Sequence, residues 1–276
     1  MIKLTSKGKT LESSRPVVMG ILNATRDSFY NKGQDSHVDG LLRNAAIMLK
    51  QGATILDVGG SSTKPGQNIS DEDEELQRVI PAIEAIHRRW PEVWLSVDTY
   101  HAGVAREAVA AGASIVNDVS SGSIDARMLA TVAELQVPYI AMHMQGTPAT
   151  MQVDPTYDNV LVEVLTYLKQ VCERCEAAGI ADVIVDPGFG FGKTVEHNFA
   201  LLRHLPMFSV LGRPVLAGVS RKSIVCKPLK VNPEHALNGT TALNMVALLN
   251  GANILRVHDV KEAMETIVLA ECLLRV

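Results

Sequence analysis

Asp98, Asn117 and Asp186 interrupt runs of branched apolar residues that are otherwise apolar to the last position. Other polar side chains end similar runs: Asn23, Asp57, Asp118, His143, Ser220 to Lys222, and Arg256 with His258. A carboxylate facing a pocket accepts two parallel hydrogen bonds from a planar amidine-like edge, and an asparagine donates and accepts at a ring nitrogen and a carbonyl. Together these groups suit a flat heterocycle rich in donors and acceptors, and do not suit a hydride-transfer cofactor. Any one of them, taken alone, can equally be a helix cap or turn former. Asp57 and Asp118 in particular fit a structural role.

Two segments look like an anion end. Ser220-Arg221-Lys222-Ser223 and Arg256-Val257-His258-Asp259 supply two or three cationic groups, each before an expected helix. With that helix N-terminus they would grip a phosphate or carboxylate. The alternative is a solvated basic pair at a helix start, but a cation there opposes the helix dipole by roughly 0.3–1 kcal/mol. Residues 23–33 and 59–67 are rich in Gly, Ser, Thr and Asn and have the character of lids. Gly188-Phe189-Gly190-Phe191-Gly192-Lys193 is not a nucleotide phosphate loop, because Gly-x-x-x-x-Gly-Lys-[Ser/Thr] does not fit its spacing. Its glycines would let backbone approach a flat ligand, with Phe191 as an apolar wall.

The elements that must position these groups can be counted. A phrase of Gly, a branched apolar run and a polar residue recurs at Gly52, Gly112, Gly179 and Gly251, at a spacing that fits two βα units. It reads as a helix-ending glycine, a buried strand and a strand end. Between the copies lie apolar runs over 17–23, 93–98, 137–143 and 214–220. Eight strands result, and continuous rather than alternating apolar character indicates strands covered on both faces. Segments 104–111, 126–135, 160–178 and 242–249 have helical spacing, and Ser70 is placed to cap a helix carrying Leu76, Val79, Ile80, Ile83 and Ile86. Eight βα units in 276 residues predict a single-domain (β/α)8 TIM barrel after an N-terminal extension over 1–15, since that fold takes about 250 residues. A doubly wound sheet is the runner-up, weakened by the lack of a Gly-x-Gly-x-x-Gly turn. In a barrel the site sits at the C-terminal strand ends, so the polar residues there should converge.

Composition narrows the class. Apolar residues make up 47% and charged residues 20%, as in soluble globular proteins. A net charge of −4 gives no reason to expect nucleic acid. No apolar stretch is long enough to span a membrane, and Met1 to Gly8 lacks a signal-peptide core, so a cytoplasmic location is expected. Cys172 and Cys175 form a Cys-x-x-Cys inside an expected helix with no second pair nearby, which reads as buried thiols rather than a zinc or redox centre.

The ordered set of strand-end motifs resembles the dihydropteroate synthases. The matching stretches are Gly20-Ile21-Leu22-Asn23 with Asp27-Ser28-Phe29; Asp57-Val58-Gly59-Gly60 with Ser62-Thr63; Ser96-Val97-Asp98-Thr99; Asn117-Asp118; Met142-His143 with Gly146-Thr147-Pro148; Asp186 to Lys193; Ser220 to Ser223; and Arg256 to Asp259. The resemblance runs from about Met19 to the C-terminus. It implies a TIM-barrel transferase of folate synthesis, usually a homodimer, joining 4-aminobenzoate to 6-hydroxymethyl-7,8-dihydropterin diphosphate with release of diphosphate. By position it implies that Asp98, Asn117, Met142, Asp186, Gly218, Lys222 and Arg256 bind the pterin. Thr63, Lys64, Pro65, Phe191 and Ser223 would form the aminobenzoate site. Asn23, Arg256 and His258 would meet the diphosphate, Asn23 would also approach Mg²⁺, and Asp98, Lys222, Arg256 and His258 would carry catalysis.

The chain departs from the family pattern only in the lids. Arg26, Asn31 and Lys32 replace the usual Pro, Asp and Gly of the first loop, and Ser61 and Lys64 replace the Glu and Arg of the second. Lysine does not reproduce arginine's planar fork, so aminobenzoate affinity should be affected more than pterin affinity. Competing readings are a non-catalytic pterin-binding paralogue, a pterin-dependent methyltransferase and a metal-dependent hydrolase barrel. Arg256 and His258 argue against the first. The second lacks its corrinoid-binding motif here, and the third lacks a His-x-His at the first strand.

Overall fold

The computed structural model of the chain describes residues 1–24, 37–60 and 71–274. Residues 25–33 and 61–67 of the two lids, with Thr63, Lys64, Pro65 and all five departures, lie outside the described residues, as does Ser70. The chain opens with a hairpin of β1 (Ile2–Ser6) and β2 (Lys9–Ser13). Eight parallel strands follow among the described residues: β3 (Val17–Asn23), β4 (Ile55–Gly59), β5 (Trp94–Asp98), β6 (Ile115–Asp118), β7 (Tyr139–Met142), β8 (Val183–Asp186), β9 (Leu216–Ala217) and β10 (Ile254–Val257). They lie in the order β8-β7-β6-β5-β4-β3-β10-β9, and a parallel bridge from Val185 to Val215 joins the ends into a ring. This is a (β/α)8 barrel.

Helices fill the connections: α1 (His37–Lys50), α2 (Glu72–Arg89), α3 (Ala102–Ala111), α4 (Met128–Leu135), α5 (Val160–Ala178), α6 (Val195–Arg203), α7 (Ser223–Leu229) with α8 (Leu237–Leu249), and α9 (Val260–Leu274). The cap of α2 is Asp71, whose carboxylate accepts from the Asp73 and Glu74 N–H groups, rather than Ser70. All four glycines of the recurrent phrase have positive φ, from 89° to 124°, so each turns its chain from helix to strand in a conformation that costs other residues. The run over 214–220 yields only a two-residue strand, because Pro214 brings no N–H and Gly218 brings no side chain.

The pleat sorts side chains into two sets. Leu56, Val58, Leu95, Val97, Val116, Ala141, Val185 and Leu255 face outward into the core shared with the helices. The alternate residues Val17, Met19, Ile55, Trp94, Ile115, Ile140, Ile184, Leu216 and Ile254 fill the barrel at the strand beginnings, plugged from below by Ile2 and Leu4 of the hairpin. The residues expected to be an extension are thus the floor of the barrel. Two positions further along, on the same inner face, come Asp57, Ser96, Asn117, Met142, Asp186, Gly218 and Arg256. An apolar layer therefore supports a polar one.

Candidate active site

Strand register places Asn23, Gly59, Asp98 and Asn117 in one row across β3 to β6, and Met142 beside Asp186 on β7 and β8. Arg256 crosses this layer. Its Nε donates to Asp57 Oδ2 at 2.7 Å and its Nη2 to Asp98 Oδ2 at 2.6 Å. Asn117 Nδ2 donates to the same Asp57 oxygen at 3.1 Å. Asp57 is thus a fully buried hub of the site rather than a turn former. Asp118 is the structural one of the two: its carboxylate accepts from Ser120 N and Oγ, Gly122 N and Tyr139 Oη, all within 2.8 Å.

The electrostatics follow from burial. Burial pushes Asp98 up to about 7, with Arg256 opposing and Asp57 reinforcing. Burial also raises Asp186, opposed first by Lys222. Arg256 would be lowered by burial, but Asp57 and Asp98 more than offset this and hold it above its ordinary value. Burial brings Lys222 down to about 8, against the pull of Asp186. Its Nζ donates to the Phe189 carbonyl at 2.9 Å and sits 4.8 Å from the Phe191 ring centre. Gly218 leaves the space beside it open, since a Cβ there would come within 3.3 Å of Lys222 Nζ. Met142 and Phe191 pack with Tyr100, Val119 and Met151 as an apolar wall beside the polar layer.

Several acceptors remain. Among the described residues Asp98 Oδ1, Asn117 Oδ1 and Asp186 Oδ2 have no hydrogen-bond partner in this layer, while Asp186 Oδ1 accepts from the Gly188 N–H at 2.7 Å. The layer can therefore receive a flat guest with several donors on one edge and an acceptor for Lys222.

The anion end differs from expectation in two ways. Arg221, at φ 55°, forms a two-point ion pair with Asp259 at 2.9 and 2.5 Å, and its N–H donates to Thr240 Oγ1. It is committed to the fold and is not a ligand-gripping cation. His258 is held down to about 4 by burial and by Arg256 and Arg221, so it is a neutral imidazole at neutral pH. Lys222, the N-cap residue of α7, and the half-exposed Ser223 that follows both stand at the mouth. The exposed Asn23 ends β3.

His143, just after β7, is buried with its Nδ1 2.9 Å from Lys193 Nζ, and burial followed by Lys193 lowers it to about 3. Lys193 is 2% exposed and also donates to the carbonyls of His143, Gly188 and Phe191. Burial brings this amine down to about 7, and its bonds tie the end of β7 to the glycine-rich loop after β8. Its motif drew attention to the glycines and to Phe191; a lysine in so apolar a stretch was the signal for Lys193.

A family model described as "Pterin binding enzyme" matches residues 19–258. The dihydropteroate synthase of Escherichia coli strain K12 is 46% identical over 275 residues, covering 99% of this chain and 97% of that one. The chain belongs to the dihydropteroate synthase family. The solved dihydropteroate synthase of Yersinia pestis in a sulfonamide complex superposes with a TM-score of 0.93 at 44% identity, covering 100% of both chains. That of Xanthomonas albilineans with 4-aminobenzoic acid also gives 0.93, at 40% identity over 99% of this chain and 98% of that one. Against this synthase background, the pairing of Arg256 with Asp57 and Asp98 and the neutral state of His258 are the features that motif matching alone did not supply.

Proposed function

We propose that this protein is a dihydropteroate synthase, a transferase of folate synthesis that condenses 6-hydroxymethyl-7,8-dihydropterin diphosphate with 4-aminobenzoate. The observation that carries the reading is the layer of acceptors on Asp98, Asn117 and Asp186, without partners among the described residues, beside Lys222. A pterin presents amino and ring N–H donors and a ring carbonyl on one flat edge. The carboxylates and Asn117 accept from those donors, and Lys222 donates to the carbonyl. Met142 lines the pocket, and Gly218 leaves room for the ring. Arg256 is anchored through Nε and Nη2, so its planar face remains for stacking on the pterin.

The bond between the pterin methylene and the diphosphate oxygen breaks early and leaves a cationic methylene. The carboxyl groups of Asp98 and Asp186 stabilise the positive ring, while Arg256 and His258 receive the departing anion. The aromatic amine of aminobenzoate then attacks and forms the C–N bond, and the proton it sheds passes to the released diphosphate; the amine is nucleophilic while neutral, so no strong base is needed. Phe191 and Ser223 would contribute to the aminobenzoate site, as would Thr63, Lys64 and Pro65 by the family pattern. Both lids have the task of excluding water that would capture the cation.

Among the described residues no three His, Cys, Asp or Glu side chains cluster as metal ligands. The exposed Asn23 offers one hard oxygen at the mouth, and this fits Mg²⁺, which binds through few protein ligands, waters and substrate phosphates. When bound there it would neutralise diphosphate charge. Homodimerisation through the adjacent α8 and α9 is supported by the exposed Val246, Leu249, Val268, Leu269 and Leu273. Among the described residues no helix is long and apolar enough to cross a membrane, which is compatible with a cytoplasmic enzyme.

Incubation with Mg²⁺, aminobenzoate and the pterin diphosphate tests the reading. Formation of dihydropteroate with equimolar diphosphate is expected, and its absence from folded protein would overturn it.

A further inference from the structure

Ser220 lies three residues beyond β9 and is 2% exposed. The backbone N–H of His258 donates to its Oγ at 3.2 Å, and the same Oγ lies 3.0 Å from His258 Nδ1. A hydroxyl has one hydrogen to give. The backbone N–H can only donate, so Oγ accepts there. If Nδ1 also carried a proton and donated, the Ser220 hydrogen would be left buried without an acceptor, which is costly. The satisfied arrangement is the one in which Ser220 Oγ–H donates to an unprotonated Nδ1. We infer that Ser220 is a positioning residue that fixes His258 in the Nε2–H tautomer, presenting one neutral donor from the far edge of the ring to the leaving diphosphate.

This rests on the dihydropteroate synthase reading and refines it. His258 then acts as a directed hydrogen-bond donor and not as a cation. Nor is it a general base toward the amine, because Nε2 already holds a proton and Nδ1 is occupied by Ser220. The buried surroundings and the neighbouring Arg256 and Arg221, which disfavour an imidazolium, agree with this.

Two measurements test it. In ¹⁵N-histidine-labelled parental protein at neutral pH, the His258 resonances, assigned through His258→Gln, should report an unprotonated Nδ1 and a protonated Nε2. A protonated Nδ1, or an imidazolium, would overturn the inference whether or not the protein has synthase activity. For kinetics, Ser220→Ala should lower kcat/KM for the pterin diphosphate about tenfold, the worth of one neutral hydrogen bond aimed at the transition state. Affinity for a pterin lacking diphosphate should stay at the parental value, and Ser220→Thr, which keeps the hydroxyl, should recover most of the rate. Equal loss in both variants, or parental kinetics in Ser220→Ala, would refute it. Should Ser220→Ala fail to fold, the parental spectrum alone decides. A parental protein with the expected tautomer but no dihydropteroate formation would remove the functional reading and leave the tautomer assignment intact.

Discussion

Asp57→Asn probes what holds Arg256 across the barrel mouth. Asp57 is fully buried, and its Oδ2 accepts from both Arg256 and Asn117. Asparagine has the same shape, and its carbonyl oxygen can take the Oδ2 position and keep both donors. Two things change. The bond from the Arg256 guanidinium loses its charged acceptor, which makes it worth about 1 kcal/mol less. The amide NH₂ occupies the place of Oδ1, which has no partner, leaving a buried donor unsatisfied at a cost of about 1–3 kcal/mol. The sum is roughly 2–4 kcal/mol. It stays below the upper end of the roughly 3–5 kcal/mol for stranding a buried ion, because Asp98 still holds Nη2. For a chain of this size that lowers Tm by roughly 5–12 °C. Scanning calorimetry and urea unfolding with an unchanged m-value would measure it, and pterin diphosphate affinity should fall in parallel. A Tm within a degree or so of the parental value would refute the claim that Asp57 anchors the guanidinium.

Three further outcomes follow from the same contacts. His143 and His258 are held down to about 3 and about 4, mainly by burial, against 6.5 unfolded, while burial lifts Asp98 from 3.8 to about 7. Between about pH 6 and 5 the unfolded chain holds both histidine protons and the folded one holds the Asp98 proton, so these three groups together lower stability by about 1.4 kcal/mol per unit of falling pH, and the raised carboxyls of Asp118 and Asp186 make the observed slope shallower. Asp98→Asn removes the opposing proton and should steepen that loss; urea titrations across this window giving a shallower slope would contradict it. Gly188→Ala places a Cβ 1.9 Å from the His143 carbonyl at φ 72°, whereas Gly190→Ala meets only the flexible Lys222 chain at 3.3 Å. The first should cost more than about 3 kcal/mol and clearly exceed the second in chemical denaturation. Lys193→Met keeps the stem but leaves the buried carbonyls of His143, Gly188 and Phe191 without their donor, so a loss of at least about 3 kcal/mol is expected, read as a fall in Tm.

The barrel was legible because its strands are short apolar runs ended by polar residues and its helix-to-strand turns need glycine. The same alternation that makes Ile55, Ile115, Ile184 and Ile254 an apolar plug puts Asp57, Asn117, Asp186 and Arg256 two positions on. The polar layer could thus be read from the pattern, but not the pairing inside it. Sequence spacing says nothing of which carboxylate an arginine reaches across the ring, so Asp57 looked structural and Arg256 looked uncommitted. Arg221 shows the converse: a basic residue beside Lys222 turns out to serve Asp259, a partner 38 positions away in the chain. Nor does sequence reveal protonation, since the neutrality of His258 arises from burial and two neighbouring guanidiniums. The hairpin escaped notice as a plug because Ile2 and Leu4 find their partners only once the ring has closed.

The central claim is that Asp98, Asn117, Asp186 and Lys222 hold one flat pterin together. Calorimetric titration of the parental protein and Asp186→Ala with that pterin tests it most directly. The parental protein should bind, and the variant, still folded by circular dichroism, should give no binding heat. Binding by Asp186→Ala at the parental affinity would contradict the assignment.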